Sequence, residues 1–129
     1  MNSALTSIVS KYNPSIINIQ SKKDAEQAIK NIQSDPESIP IMTPKMIHRV
    51  IQLNHVHLQD AIIIKQDMLS IGGEVAVPKN TFQLTGEPAS ILIIGTYQQL
   101  QLLVQKLKRH YPRIKSIANE LDEILQTII

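Results

Sequence analysis

From Ile47 onward the spacing of apolar residues switches repeatedly between the period of a strand and that of a helix, and this rhythm limits the available folds more than any single motif. Residues 47–56 (IHRVIQLNHV) alternate enough for a strand, with a short helix as the other reading of so brief a run. Leu58, Ala61, Ile64, Lys65, Met68 and Ile71 then recur at helical spacing, and Gly72 falls where a helix ends in a left-handed residue. Residues 74–77 form a short strand closed by Pro78, and Gly86 with Pro88 marks a turn. Residues 90–94 (SILII) are the most apolar run and the candidate central strand. Thr96-x-x-Gln99 is a capping box opening a helix through Arg109, with Leu100, Val104 and Leu107 inward. After Tyr111-Pro112 a last helix carries Ile114, Ile117, Ala118, Leu121, Ile124, Leu125 and Ile128. Strand, helix, strand, strand, helix is the order of a ferredoxin-like split unit without its last strand.

The start of the chain suggests where that strand comes from. Residues 15–20 (SIINIQ) are rich in β-branched side chains and read as a strand able to supply the missing edge. The expected class is therefore α/β in the α+β sense, a mixed or antiparallel sheet of about four strands with helices packed on one face. The alternative is an open sheet with helices on both faces. Leu5, Ile8, Val9 and Tyr12 allow a short lead-in helix, which Asn13-Pro14 ends. Ser21 caps a helix with Asp24 three positions on, burying Ala25, Ala28, Ile29 and Ile32. Asp35-Pro36 opens a connector through Pro40 and Pro44 that is too rich in proline for regular structure. The expected organisation is a lead-in at 1–14 and one α/β domain at 15–129.

With one Phe, three Tyr and no Trp, the core has to be aliphatic. The absence of cysteine excludes disulfides, thiolate metal sites and thiol nucleophiles. No run approaches the roughly 18–20 apolar residues of a membrane helix, and the first residues lack the pattern of a secretory signal. A cytoplasmic protein is expected. A net charge of +2 is too small to argue for nucleic acid.

Each candidate for chemistry has a plain structural explanation beside it. Gly72-Gly73 follows a helix, at the negative end of its dipole, so it suits a turn and not a phosphate. Gly95-Thr96 precedes a helix, the end at which an anion can sit, although capping by Thr96 also accounts for it. His55-x-His57 would place two imidazoles on one side of an extended segment, but no third metal ligand lies nearby. Lys106, Lys108, Arg109, His110, Arg113 and Lys115 cluster where a helix C-terminus favours cations, with Tyr111 alone available for base stacking. Nucleic-acid binding is not expected. The stripe of Ile114, Ile117, Leu121, Ile124 and Ile128 packs on its own sheet or forms a homodimer seam through helix 114–128. No nucleophile pattern, paired catalytic carboxylates or cofactor fingerprint is present, so no catalytic residue, cofactor or metal is assigned.

One stretch is distinctive. Ile41-Met42-Thr43-Pro44-Lys45 leads into His48-Arg49-Val50-Ile51, and then Ile64-Lys65-Gln66-Asp67-Met68-Leu69-Ser70-Ile71-Gly72-Gly73-Glu74-Val75-Ala76-Val77 follows. This resembles the N-terminal extension that precedes the catalytic barrel in clostridial and archaeal-type dihydropteroate synthases. Ile93-Ile94-Gly95-Thr96 with Gln98 or Gln99, and the tail from Leu107 to Glu120, continue the likeness. It spans roughly residues 15–125. Asp67 stands where the family usually has glutamate, and Ile62 where a polar residue is expected. The barrel itself, with its pterin and aminobenzoate sites, lies outside the match, so synthase activity does not transfer. The resemblance implies a stand-alone accessory or ligand-sensing domain of folate or pterin metabolism, partnered by a dihydropteroate synthase-type barrel protein. On that basis Lys45, Arg49, Lys65, Gln66 and Glu74 are the expected contacts for a partner or a small anion. The rival is an independent small-molecule or anion-binding protein using Thr96 and nearby basic side chains, and a small enzyme is the least favoured possibility. Gly72, Gly73 and Gly95 are expected to be structural.

Overall fold

The computed structural model describes residues 11–79, 81–84 and 86–129. The expected lead-in helix at 3–12 lies outside the described residues, apart from a bend at Lys11 and Tyr12. Residues 13–20 have no regular secondary structure, so the expected strand at 15–20 does not form within the chain. Its β-branched residues find no ladder: Ile16 is fully exposed and Ile17 is 63% exposed.

Helix α1 (Lys22–Asn31) begins as expected, with the Ser21 hydroxyl accepting the Asp24 N–H. The proline-rich connector is not irregular as expected. A 3₁₀ turn at Pro36–Ser38 leads into helix α2 (Ile39–Met46). Pro40 sits in the first turn, where a missing N–H costs nothing. Pro44 removes one internal bond, while the buried Thr43 hydroxyl donates to Ile39 O at 2.6 Å.

Strand β1 (His48–Val56), helix α3 (Leu58–Ile71), strand β2 (Glu74–Ala76), strand β3 (Ala89–Thr96) and helix α4 (Tyr97–Leu107) follow in the expected order. Helix α5 (Pro112–Gln126) completes the chain. The class is α+β, with five helices and a three-stranded antiparallel sheet in the order β1-β3-β2 among the described residues. A β3 strand antiparallel to both neighbours is the arrangement of the split unit.

Among the described residues, helices cover one face of the sheet. Ile51, Val75, Ile91 and Ile93 point into an aliphatic core with Ile64 and Met68 of α3, Leu100, Leu103 and Leu107 of α4, and Ile114, Leu121 and Leu125 of α5. The opposite face carries Val50 paired with Ile94, and Leu92 beside Ala76. Val50 is 61% exposed, and Leu92 and Ile94 each 37%. No helix among the described residues is long and apolar enough to cross a membrane.

Gly72 ends α3 at φ +102°, a conformation that side chains resist. Gly73 and Gly95 share a different constraint. A Cβ on Gly73 would lie 2.4 Å from Met68 Cε, and one on Gly95 2.5 Å from the same atom. The two glycines therefore let the fully buried Met68 side chain lie between the end of α3 and β3. Gly95 acts here through close contact inside a strand, not through a turn.

Candidate functional site

The residues singled out from the sequence gather loosely at one end of the sheet. Arg49 near the start of β1 pairs with Gly95 near the end of β3, and Glu74 opens β2 opposite Ile94. Lys65 reaches across from α3, donating to Glu74 Oε1 at 2.8 Å and to Val75 O at 2.7 Å. That bond from Lys65, together with the Val75 N–H, holds the Glu74 carboxyl below its ordinary value. The pair ties helix to strand. Arg49 donates to His48 O at 2.8 Å and to Gln20 O at 2.5 Å. Lys45 and Gln66 are exposed on α2 and α3 respectively.

Thr96 forms the expected capping box, accepting the Gln99 N–H at 3.0 Å while Gln99 Oε1 accepts the Thr96 N–H at 2.9 Å. Tyr97 N–H is bonded to Ile47 O at 2.7 Å. Three N–H groups that an anion would use at this helix end are thus already engaged.

At the other end of the sheet the structure assembles a site that sequence reasoning missed. β1 carries a bulge between Leu53 and Val56, where His55 takes a left-handed conformation at φ +58°. His55 therefore departs from strand alternation, yet His55 and His57 both line one groove at this end of the sheet. Among the described residues no group of His, Asp and Glu is placed to hold a metal. The bulge leads to His57, the N-cap of α3, and to Asp60 in its first turn.

Asp60 is a carboxylate with 1% side-chain exposure. Arg113 grips it through Nε at 2.5 Å and Nη2 at 2.8 Å, and the Tyr111 hydroxyl donates to the same group. Tyr111 is the N-cap of α5 and Arg113 lies in its first turn. Asp60 thus sits where two helix N-termini converge, each with its positive dipole end toward it. Burial pushes its carboxyl up, but hydrogen bonds from Arg113 and Tyr111 and the charges of Arg113 and His57 outweigh this and leave it below the ordinary value. Burial and the Asp60 bond raise the Tyr111 phenol, and the Asp60 bond raises Arg113.

A signal for this site exists in the sequence. Arg113 follows Pro112, which marks a helix start, and a cation at the positive end of a dipole needs a carboxylate partner. The expected basic cluster likewise divides. Lys106, Lys108, Arg109 and His110 belong to the end of α4, whereas Arg113 and Lys115 open α5. Within it Lys106 donates to Ser70 at 2.7 Å, Lys108 lies 3.9 Å from Asp122, and His110 lies 2.9 Å from Asp67.

Beside the Asp60–Arg113 pair runs a groove of about 580 Å³. One wall is the consecutive run from Gln52 in β1 to His57, the N-cap of α3; the other is Arg113, Ser116, Ile117 and Glu120, a single stripe of α5. None of Lys45, Arg49, Lys65, Gln66, Glu74 or Thr96 lines it.

Two curated proteins are similar to the chain. One is the bifunctional dihydropteroate synthase/dihydropteroate reductase of Helicobacter pylori, 27% identical over 120 residues. The match covers 92% of this chain and 29% of that protein. The other, from Halobacterium salinarum, bears the name "Probable bifunctional folylpolyglutamate synthase/dihydropteroate synthase" and is 27% identical over 107 residues, covering 83% of this chain and 13% of that protein. No family model and no solved structure matches. The chain is distantly related to regions of dihydropteroate synthase-containing bifunctional proteins, and it spans less than a third of the length of either.

Proposed function

We propose that this chain is a non-catalytic accessory domain that packs against a dihydropteroate synthase-type barrel protein and serves folate or pterin metabolism. The observation that carries this is the asymmetry of the matches: nearly all of this chain corresponds to a small part of a larger enzyme. Two features of the fold support it. The polar side chains of Lys65, Glu74 and Thr96 are spent on internal bonds, which suits a scaffold better than a reaction centre. The uncovered face of the sheet offers Val50, Leu92 and Ile94 as an apolar surface for a larger partner, with Lys45 and Gln66 exposed on helices α2 and α3.

The test is capture of the tagged chain from lysate of its own organism at moderate salt, read by mass spectrometry. A barrel synthase recovered in near-equal amount supports the proposal, and Lys45→Ala and Leu92→Asp should then reduce recovery. A chain recovered alone, or only with itself, refutes it. The anion-binding alternative is disfavoured by the engaged N–H groups at Thr96, Tyr97 and Gln99.

A further inference from the structure

We propose that residues 15–20 are a strap that closes onto the free edge of β1 of the same chain as a fourth, antiparallel strand, and that the structure holds it open. Among the described residues β1 pairs only with β3, so one side of a nine-residue strand lacks a ladder. Ile47 O accepts the Tyr97 N–H, which sets the alternation of the antiparallel pair. Arg49, Ile51 and Leu53 therefore bond toward β3, while the N–H and C=O groups of His48, Val50 and Gln52 face outward. The side of α5 nearest this edge is only partly covered. At about 100° per residue, Ile117 and Ile124 lie between the buried row of Ile114, Leu121 and Leu125 and the groove-lining Arg113 and Glu120. Ile117 is half-buried and Ile124 is 45% exposed. The groove is lined by β1 and α5 without β3, so it opens on the side of β1 away from β3.

The strap is already fastened at one end. The Arg49 guanidinium donates to His48 O at 2.8 Å and to Gln20 O at 2.5 Å, so the last residue of the segment lies beside the first outward-facing residue of the edge. From Gln20 back to Ser15, an antiparallel run follows β1 toward Leu53. Gln20 opposite His48 places Asn18 opposite Val50 and Ile16 opposite Gln52, so each pair meets through its backbone groups. Ile17 and Ile19 then share the core side with Ile51, toward Ile117 and Ile124 of α5, while Ile16 joins Val50 on the outer face. Ile16, now fully exposed, and Ile17, now 63% exposed, both gain neighbours. The pairing stops where both strands stop: Pro14, with no N–H to donate, falls opposite Asn54 in the β1 bulge. The Arg49 link selects the chain's own segment, because a tethered strand is held at a far higher effective concentration than a free one. A closed strap leaves no bare ladder on β1 for a foreign strand to join.

Amide hydrogen exchange and nuclear Overhauser contacts in the full chain test this. In the closed state the Asn18 and Val50 amides bond to each other's carbonyls, so both should exchange at least about tenfold more slowly than in an unstructured peptide. A contact between the α-hydrogens of Ile17 and Ile51, the neighbouring non-bonded pair, should accompany this and persist on about tenfold dilution. Asn18→Pro removes one ladder donor and should return the Val50 amide to the peptide rate, while the Ile93 amide, in the ladder between β1 and β3, stays protected. Asn18 and Val50 amides that exchange at the peptide rate in the unmodified chain would overturn the proposal. So would protection at Val50 that survives Asn18→Pro. An Ile17–Ile51 contact seen only between labelled and unlabelled chains would assign the edge to a second copy, and would also overturn it.

Discussion

Removing either partner of the Asp60–Arg113 pair should damage the fold unequally, and the inequality follows from burial. Asp60 has 1% side-chain exposure, whereas Arg113 has 46%. In Asp60→Ala the guanidinium turns to water, and Tyr111, at 38% exposure, hydrates as well. The loss is three charge-assisted hydrogen bonds, offset by relief of a buried charge, so the cost is about 1–2 kcal/mol. Arg113→Ala instead leaves a carboxylate inside the protein with Tyr111 as its remaining side-chain donor, and the loss should be larger. The two variants also separate by pH. In the unmodified chain the Asp60 carboxyl lies below its ordinary 3.8, so its contribution is complete above 3.8 and is lost as pH falls through the lower, folded value. Without Arg113, burial should lift that carboxyl above 3.8, so the deficit is greatest at neutral pH and shrinks as protonation begins. Urea unfolding at a series of pH values from about 7 to 4 measures both effects. Equal losses at pH 7, or an Arg113→Ala deficit that stays constant over that range, would refute this account of the clamp.

The contact of Gly73 and Gly95 with Met68 predicts coupling. Gly95→Ala should cost about 1–3 kcal/mol by overpacking, and Met68→Val should recover at least about 1 kcal/mol of it in a thermal double-mutant cycle. Thr96→Ala removes the acceptor for the Gln99 N–H and should lower stability by about 1 kcal/mol, read by denaturant unfolding. Leu92→Asp removes a side chain that is only 37% exposed from the middle strand, so it should cost about 1–2 kcal/mol by denaturant unfolding while weakening any barrel contact.

Much of the fold is legible in the sequence because local pattern and tertiary context agree there. The change from alternation in residues 47–56 to helical spacing from Leu58, the glycine stop at Gly72 and the Thr96 capping box all appear where the residues place them. The exceptions have physical causes. Residues 15–20 have strand character, but a strand needs a neighbour, and propensity does not provide one. Pro40 and Pro44 read as helix breakers, yet Pro40 lies in a first turn and the helix lasts only eight residues. The helix 114–128 stripe is partly a surface: Ile114, Ala118, Leu121 and Leu125 are buried, while Ile124 is 45% exposed. The Asp60 clamp joins residues more than 50 positions apart, and only the misplaced charge of Arg113 hints at it.

Calorimetric titration of the purified chain into a purified barrel synthase from the same organism tests whether this domain packs against a dihydropteroate synthase-type barrel. Saturable binding at one chain per barrel is expected, weakened about tenfold or more by Leu92→Asp. A folded chain that produces no binding heat and no co-sedimenting complex would contradict it.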